Sequence, residues 1–434
     1  MQATVEQIST LERRIHLAVP MQQIETEVTT RLKDIARNTK LDGFRRGKVP
    51  MSIVAKQYAG QVRQEVLGDA VEKTFSEAVR ANQLKVAGYP RIEPKTDAAT
   101  PDAIEFSATF EVYPEITLGD ISSAKITRSI VNVGDADVDK TVEVLRKQRV
   151  EFNSADRAAV AGDLVTLDYT GTINGEVFGG GEAKGFRVVL GEGRTLKEFE
   201  TALMDVKAGD SKSFDVTFPV DYHASELAGK TATFAVEVTD VSAPKLPEVD
   251  MEFAKSLGVA DGDVQKMRAE IQGNLEREVQ NRVNAKVKEQ VMQVLLDATQ
   301  IEVPKSLQDV EMQRLMESAR NDMQARGMNV QDVPLSADIF GEQAKRRVSL
   351  GLILAEAVHA NGLVAKPEQV RKLIEEFAQS YEDPQEVIKW HQQNPERMQE
   401  MESLALENNV VEWVLGKAQV EDQPVAFDEL MGRA

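Results

Sequence analysis

Near the start of the chain, mostly apolar side chains recur at a period of two. Leu11, Arg13, Ile15, Leu17 and Val19 alternate with Glu12, Arg14, His16 and Ala18, which predicts a half-buried strand. Pro20 ends it, and Met21, Ile24, Val28, Leu32 and Ile35 then recur at helical spacing. That pattern predicts an amphipathic helix over 21–40 with a proline near its start. Helical patterning returns at 51–58 and 61–82, where Val62, Val66, Ala70 and Phe75 are the expected buried positions. Ile104, Phe106, Ala108, Phe110 and Val112 alternate with Glu105, Ser107, Thr109 and Glu111, the clearest strand of this first part.

Turn signals at Tyr113-Pro114 and Leu118-Gly119-Asp120 open a connector, and 121–133 is strand-like. Asp135, Asp137 and Asp139 have the spacing of a calcium loop, but Lys140 stands where such a loop needs its glycine. The acidic first turn of a helix is the better reading. Between 151 and 243 several short alternating runs, around Leu167, Val216 and Val236, are punctuated by glycines, with one short helix expected at 196–204. Phe152, Tyr169, Phe178, Phe186, Phe199, Phe214, Phe218, Tyr222 and Phe234 all fall here. Phe214 and Phe218, on a regular strand, are expected in the core. The others, several beside glycines and loops, are equally suited to a concave aromatic pocket.

After the Ala243-Pro244-Lys245-Leu246-Pro247 linker the strand signals disappear. Met267, Ile271, Leu275, Val279, Val283, Val287, Val291 and Leu295 repeat with a spacing of four. Each step of four advances about 40° around a helix of 3.6 residues per turn, so the seam winds. A helix over 263–297, roughly 50 Å long at ~1.5 Å per residue, must therefore lean on different neighbours along its length. Further helices are predicted at 305–326, 341–361, 367–380, 384–392 and 396–418. Ten of the 14 methionines lie in this region. Methionine fills core gaps, and it also suits surfaces that accept many shapes. Met312, Leu315, Met316 and Met323, along one helix, are the candidate client-binding set. The chain thus reads as a multidomain α+β protein, with an α+β domain over 1–112, a connector over 113–150, an antiparallel β domain with one short helix over 151–243 and an all-α domain over 244–434.

Composition narrows the chemistry. At 434 residues the chain has room for about three domains. The absence of cysteine excludes disulfides, thiol catalysis and cysteine zinc sites. Its four histidines show no metal-ligand spacing, so no metal and no cofactor is expected. No run approaches the ~18 apolar residues of a membrane span, and the first residues lack a secretory pattern, so no membrane partner and a cytoplasmic location are expected. Gly191-Glu192-Gly193 lacks the third glycine of a dinucleotide fingerprint, and Gly43 to Lys48 is one residue short of a P-loop.

Net charge is -19, which singles out one segment. From Arg31 to Pro50 there are seven cations and two anions, a local balance of +5. Its tip, Gly43-Phe44-Arg45-Arg46-Gly47-Lys48-Val49-Pro50, holds three cations, one aromatic and two glycines. It suits a solvated turn or a docking site for an anionic partner.

On that tip, and on Leu167-Asp168-Tyr169-Thr170-Gly171, Phe178, Phe218-Pro219 and Tyr222-His223, the chain resembles the trigger factor family. These are bacterial ribosome-associated chaperones with peptidyl-prolyl isomerase activity. The resemblance implies a ribosome-binding domain, an FKBP-like isomerase domain and a chaperone domain with long helical arms, the last placed spatially between the other two. It also implies that the 113–150 connector runs back along that domain. Gly43, Phe44, Arg45, Arg46, Gly47 and Lys48 would dock on protein and ribosomal RNA of the large ribosomal subunit near the exit tunnel, where nascent and unfolded polypeptides are met. A homodimer off the ribosome is compatible with it. The implied isomerase pocket is Tyr169, Phe178, Phe186, Leu196, Phe199, Tyr222, His223 and Phe234, with Tyr222 the candidate hydrogen-bond donor and His223 either functional or structural. Two departures bear on substrate preference. Gly179 follows Phe178 where many FKBP domains place an acidic residue, and Lys197-Glu198 replaces the usual Pro-Gly before the aromatic floor. Two other readings stay open: a prolyl isomerase merely delivered by its flanking domains, and a ribosome-independent holdase.

Overall fold

The computed structural model describes residues 4–38, 44, 49–95, 102–222, 224, 226–328, 336–379, 381 and 383–432. By its internal contacts the chain forms two compact units, one made of 1–128 with 285–422 and the other of 129–284 with 423–434.

In the first unit, strands β1 (Thr4–Gln7), β2 (Glu12–Pro20), β3 (Val86–Pro94) and β4 (Ala103–Val112) form an antiparallel sheet of order β1-β2-β4-β3. Alternation places Ile15, Leu17 and Val19 in the core, and in β4 Phe106, Ala108 and Phe110. Over them lie helices α1 (Met21–Asn38) and α2 (Met51–Ala81). Ile24, Val28 and Leu32 repeat every fourth residue on the buried face of α1. Helix α2 runs unbroken through Gly60, where two helices were expected, because Val54, Val62, Val66 and Phe75 hold one continuous face against the core. Ala70 is only half-buried; Val71 takes that depth instead. Arg31 bridges the two helices to Asp69 at 2.6 Å, and Arg63 pairs with Glu25.

The helical part of this unit holds α7 (Lys305–Ala325), α8 (Ala337–Asn361), α9 (Pro367–Ala378), α10 (Pro384–Gln393) and α11 (Pro395–Leu415). The start of α7 is capped from the sheet. Glu111 accepts from the Lys305 and Ser306 N–H groups at 3.0 and 2.7 Å, and Ser306 donates its hydroxyl to the Ala87 carbonyl at 2.8 Å. Gly88 follows with φ +79°, and a Cβ there would sit 2.5 Å from that of Ser306. This close approach is the reason for a glycine in β3. One short strand, β11 (Gln419–Pro424), interrupts the helical region and pairs with β5 (Lys125–Ile130) of the connector.

The second unit is built on a five-stranded antiparallel sheet. Its strands are β6 (Glu151–Ser154), β7 (Leu164–Ile173), β8 (Glu176–Val189), β9 (Ser211–Thr217) and β10 (Thr231–Lys245). The order is β6-β10-β7-β8, with β9 also on β10. The 15-residue β10 is the spine, pairing along its length with β6, β7 and β9. Short helix α4 (Lys197–Ala202) packs by β9 and buries Phe199. Beside it, Arg157 holds the fully buried Asp163 carboxylate with two bonds of 2.5 and 2.8 Å. Helix α3 (Asp135–Gln148) starts as read, with Asp137 accepting from the Gly134 N–H at 3.0 Å. Short helices α5 (Met251–Ser256) and α12 (Phe427–Met431) complete this unit. The long helix α6 (Val264–Ala298) is continuous, and all eight of its spacing-four residues are buried. No helix among the described residues is long and apolar enough to cross a membrane.

Candidate active site

A cavity of about 350 Å³ opens in the second unit between β7, β8, α4 and the segment after β9. Seven of the eight side chains expected in a pocket line it: Tyr169, Phe178, Phe186, Leu196, Phe199, Tyr222 and Phe234. The eighth, His223, lies outside the described residues. Phe152, on β6, is not among the walls.

The rings hold one another edge-on. Tyr169 meets Phe186 at 5.3 Å, Phe234 at 5.7 Å and Phe199 at 6.0 Å between centroids, all edge-to-face with interplanar angles of 89°, 64° and 78°. Edge-to-face contacts set positive ring edges against negative faces, so each ring's orientation is fixed by its neighbours. Phe178 joins through Phe234 at 6.0 Å and Phe218 at 5.9 Å. Phe218 is buried as expected, although β9 ends one residue before it, and it also forms a wall, with Tyr222 only 4.8 Å from it. Alternation alone carries no signal for that second role. Phe214 stacks behind the pocket on Phe234.

Glycines make room for the rings. A Cβ on Gly171 would lie 2.8 Å from Phe234 and 2.9 Å from Phe178, and one on Gly181 would lie 2.7 Å from the Gly171 carbonyl oxygen. At the rim, the Glu200 carboxylate accepts the Gly191 N–H at 2.9 Å, the Thr195 N–H at 3.3 Å and the Thr195 hydroxyl at 3.2 Å. Burial alone would push this carboxyl up, but those donors outweigh it and hold it below the usual range. The unusual Lys197-Glu198 pair has a structural use, since Glu198 accepts the Thr217 N–H at 2.6 Å and ties α4 to β9.

Chemically the cavity offers apolar surface and phenols. Burial, with Tyr222 nearby, pushes the Tyr169 phenol up, so it stays a neutral hydrogen-bond donor across the physiological range. In the structure it donates to the Gly180 carbonyl at 3.4 Å. Arg194 is the only charged side chain among the described walls.

Three families match the chain: bacterial trigger factor protein over residues 1–145, its C-terminal part over 263–416, and FKBP-type peptidyl-prolyl cis-trans isomerase over 155–239. A trigger factor of Nitrosospira multiformis is 57% identical over 435 residues, spanning 100% of both chains. Those of Thiobacillus denitrificans and Aromatoleum aromaticum are 56% and 54% identical over 434 residues, each again spanning 100% of both chains. The chain belongs to the trigger factor family. It is a chaperone with an FKBP-type domain and hence a peptidyl-prolyl cis-trans isomerase, and binding of ribosomes and nascent chains comes with the family.

The other expected sites fall elsewhere. Of the basic tip Phe44, Val49 and Pro50 are described; Phe44 is exposed and Val49 is buried, while Gly43, Arg45, Arg46, Gly47 and Lys48 lie outside the described residues. On α7, Met312, Met316 and Met323 are half-buried along one face, while Leu315 is buried.

Proposed function

We propose that the aromatic cavity is the isomerase site, and that the chain works in the cytoplasm as a chaperone meeting nascent polypeptides at the ribosomal exit tunnel. The observation that carries the site assignment is the cavity itself: seven aromatic rings converge on a space of about 350 Å³, room for a prolyl segment. Rotation about a prolyl bond is opposed by about 18–20 kcal/mol of amide resonance, which is lost as the bond twists. A desolvated site favours the twisted, less charge-separated amide, and a donor steadies its carbonyl or nitrogen. Tyr222, at the mouth beside Phe218, takes the donor role, and Phe199 and Phe234 form the floor. His223, outside the described residues, is proposed for this site by the family resemblance alone, in either a functional or a structural role. Tyr222→Phe should lower kcat on a short prolyl peptide while leaving the fold intact, and Phe234→Ala should remove most activity. Full activity in both variants would end the assignment.

The division into a ribosome-binding domain (1–112), a connector (113–150), an isomerase domain (151–243) and a chaperone domain (244–434) is part of the same proposal. In it, Arg45, Arg46 and Lys48 supply charge for ribosomal RNA phosphates and acidic side chains, and Phe44 supplies an apolar anchor. Met312, Met316 and Met323 offer clients an adaptable surface; Leu315 supports it from beneath. Phe44→Ala/Arg45→Ala/Arg46→Ala should abolish cosedimentation with ribosomes, and unaltered cosedimentation would refute the docking role. A homodimer off the ribosome would appear in sedimentation velocity of the free protein.

A further inference from the structure

We propose that Met312, Met316 and Met323 on α7 form a reversible oxidation site, at which peroxides switch off client binding while the isomerase keeps running; this rests on α7 being the client face. Three observations support it. First, the chain has no cysteine, so its thioethers are the only sulfur an oxidant can meet. Second, sulfur is kept apart from the isomerase pocket. No methionine is among the described cavity walls. Within 151–243 the one methionine is Met204, which packs half-buried against that domain's core. Third, α7 gathers sulfur on one face. At about 100° per residue, Met312, Met316, Ala319 and Met323 share a sector of roughly 60°. All four are half-buried, so a small oxidant can reach the sulfurs, whereas Met267, Met292 and Met431 are buried and shielded.

The thioether sulfur attacks one peroxide oxygen, the O–O bond breaks, sulfur gives up two electrons and gains that oxygen, and water leaves. A reductase acting through two thiols restores the thioether, forming a disulfide and water. The sulfoxide is polar and chiral where the thioether was apolar and adaptable. Three such changes along one face put S=O groups where apolar client side chains pack, and burying a polar group without a partner is costly. The pocket presents phenyl rings and phenols, which peroxide leaves intact under the same mild conditions. Oxidation therefore separates the two activities of one chain.

The test treats the full chain with hydrogen peroxide and follows three things: oxygen added at each methionine by peptide mass, suppression of aggregation of an unfolded protein, and isomerisation of a short prolyl peptide. Exposed Met251 and Met328 gauge the dose. All three α7 residues should gain one oxygen, and half-suppression of aggregation should need about five- to tenfold more protein. The isomerase rate should stay unchanged, and methionine sulfoxide reductase with a dithiol should restore suppression. Met312→Leu/Met316→Leu/Met323→Leu, whatever its starting activity, should lose none of it on oxidation. That result separates α7 from Met398 and Met401 in the small α9–α11 core. Met312→Gln/Met316→Gln/Met323→Gln, its helices checked by far-UV circular dichroism, should behave like the oxidised protein. If the α7 residues stay unmodified while Met251 and Met328 are fully oxidised, the oxidation site alone is overturned. The same holds if suppression survives their oxidation while the glutamine variant is impaired, or if the leucine variant loses as much as the intact protein. Parallel loss of isomerase activity overturns the separation of activities. Full suppression by the glutamine variant overturns the client face and this proposal together.

Discussion

Gly171 offers the sharpest test of the pocket as a set of mutually positioned rings. Its backbone φ is not positive, so Gly171→Ala introduces no backbone strain, and its effect must come from the added methyl. That methyl would lie 2.8 Å from one edge atom of Phe234, 3.1 Å from the next, and 2.9 Å from Phe178. Ordinary contact begins near 3.4 Å, so each ring must retreat about 0.5–0.6 Å. Neither can do so freely, because Phe234 is also packed edge-on against Tyr169 and Phe199, and Phe178 against Phe218. Overpacking of this kind costs about 1–3 kcal/mol, while replacing a strand glycine returns about 0.5–1 kcal/mol. The net destabilisation should be about 0–2.5 kcal/mol. Activity should suffer more than stability. A 1 Å misplacement in a reacting site can cost on the order of 100-fold, so half that displacement should lower kcat/KM by about tenfold. The assay is isomerisation of a prolyl peptide at low temperature, where the uncatalysed reaction is slow and the variant is fully folded. A Gly171→Ala protein with unchanged denaturation and unchanged kcat/KM would refute the reading that these rings act as one braced wall.

Three other outcomes follow from particular contacts. Asp163 is fully buried, and although burial raises its carboxyl, the Arg157 bonds and the Val160 N–H outweigh this and lower it. Its stabilisation is therefore present above the unfolded value of about 3.9 and is lost as pH falls through the lower folded value. Arg157→Met leaves the carboxylate buried without its cation, at a cost of about 3–5 kcal/mol; burial then dominates, and stability of the variant should fall, not rise, between about pH 4 and 6. Urea unfolding of the isomerase region across that range reads the slope. Glu111→Ala removes the acceptor from the first turn of α7, costs about 0.5–2 kcal/mol as for other lost caps, and should speed hydrogen exchange at 305–308 and along 86–92. Glu200→Gln weakens the hold on the 191–195 loop, and should raise KM for all prolyl peptides more than it lowers kcat.

Much of this architecture is legible wherever one face of an element is buried. Ile15, Leu17 and Val19 announce β2, and Ile24, Val28 and Leu32 announce α1, because a half-buried strand or helix must repeat its apolar residues at its own period. What escaped has physical reasons too. Gly60 does not stop α2, since the cost of a helical glycine is about 1 kcal/mol and the buried valines on either side outweigh it. Strand β11 has a single apolar residue, Val420, and exists because β5 supplies its partner, with Arg128 bonding Asp422 at 2.7 and 3.0 Å. Helices α5 and α12 are five or six residues long, too short to show a period. In the pocket the aromatic residues were visible by type and by their neighbouring glycines. Phe218 was visible only as a core residue and Arg194 not at all, because a cavity wall is a relation between elements distant in sequence.

The winding seam of α6 shows how such a relation can still leave a mark in one segment. Seven steps of about 40° turn the stripe through roughly 280°, so a single flat neighbour could not cover all eight residues, yet all eight are buried. Partners change along the helix as this requires. Within the second unit, Arg268 pairs with Asp139 of α3 at 2.6 Å, and Arg282 donates to the Met431 carbonyl of α12 at 3.2 Å. Within the first unit, Lys288 meets Glu407 of α11 at 2.7 Å, Gln290 accepts from and donates to the Thr127 backbone of β5, and Gln293 accepts from Arg346 of α8 at 2.7 Å. The connector thus contacts α6 at Asp139 in one unit and at Thr127 in the other. Because coupling between substitutions fades beyond about 7–10 Å, the two ends of the helix should respond separately. Val291→Ala should speed amide exchange in β5 and α8 and leave α12 protected, whereas Val279→Ala should do the reverse. Equal loss of protection at both ends from either substitution would show that α6 is buried as one cooperative face, against the reading that its spacing of four encodes a succession of neighbours.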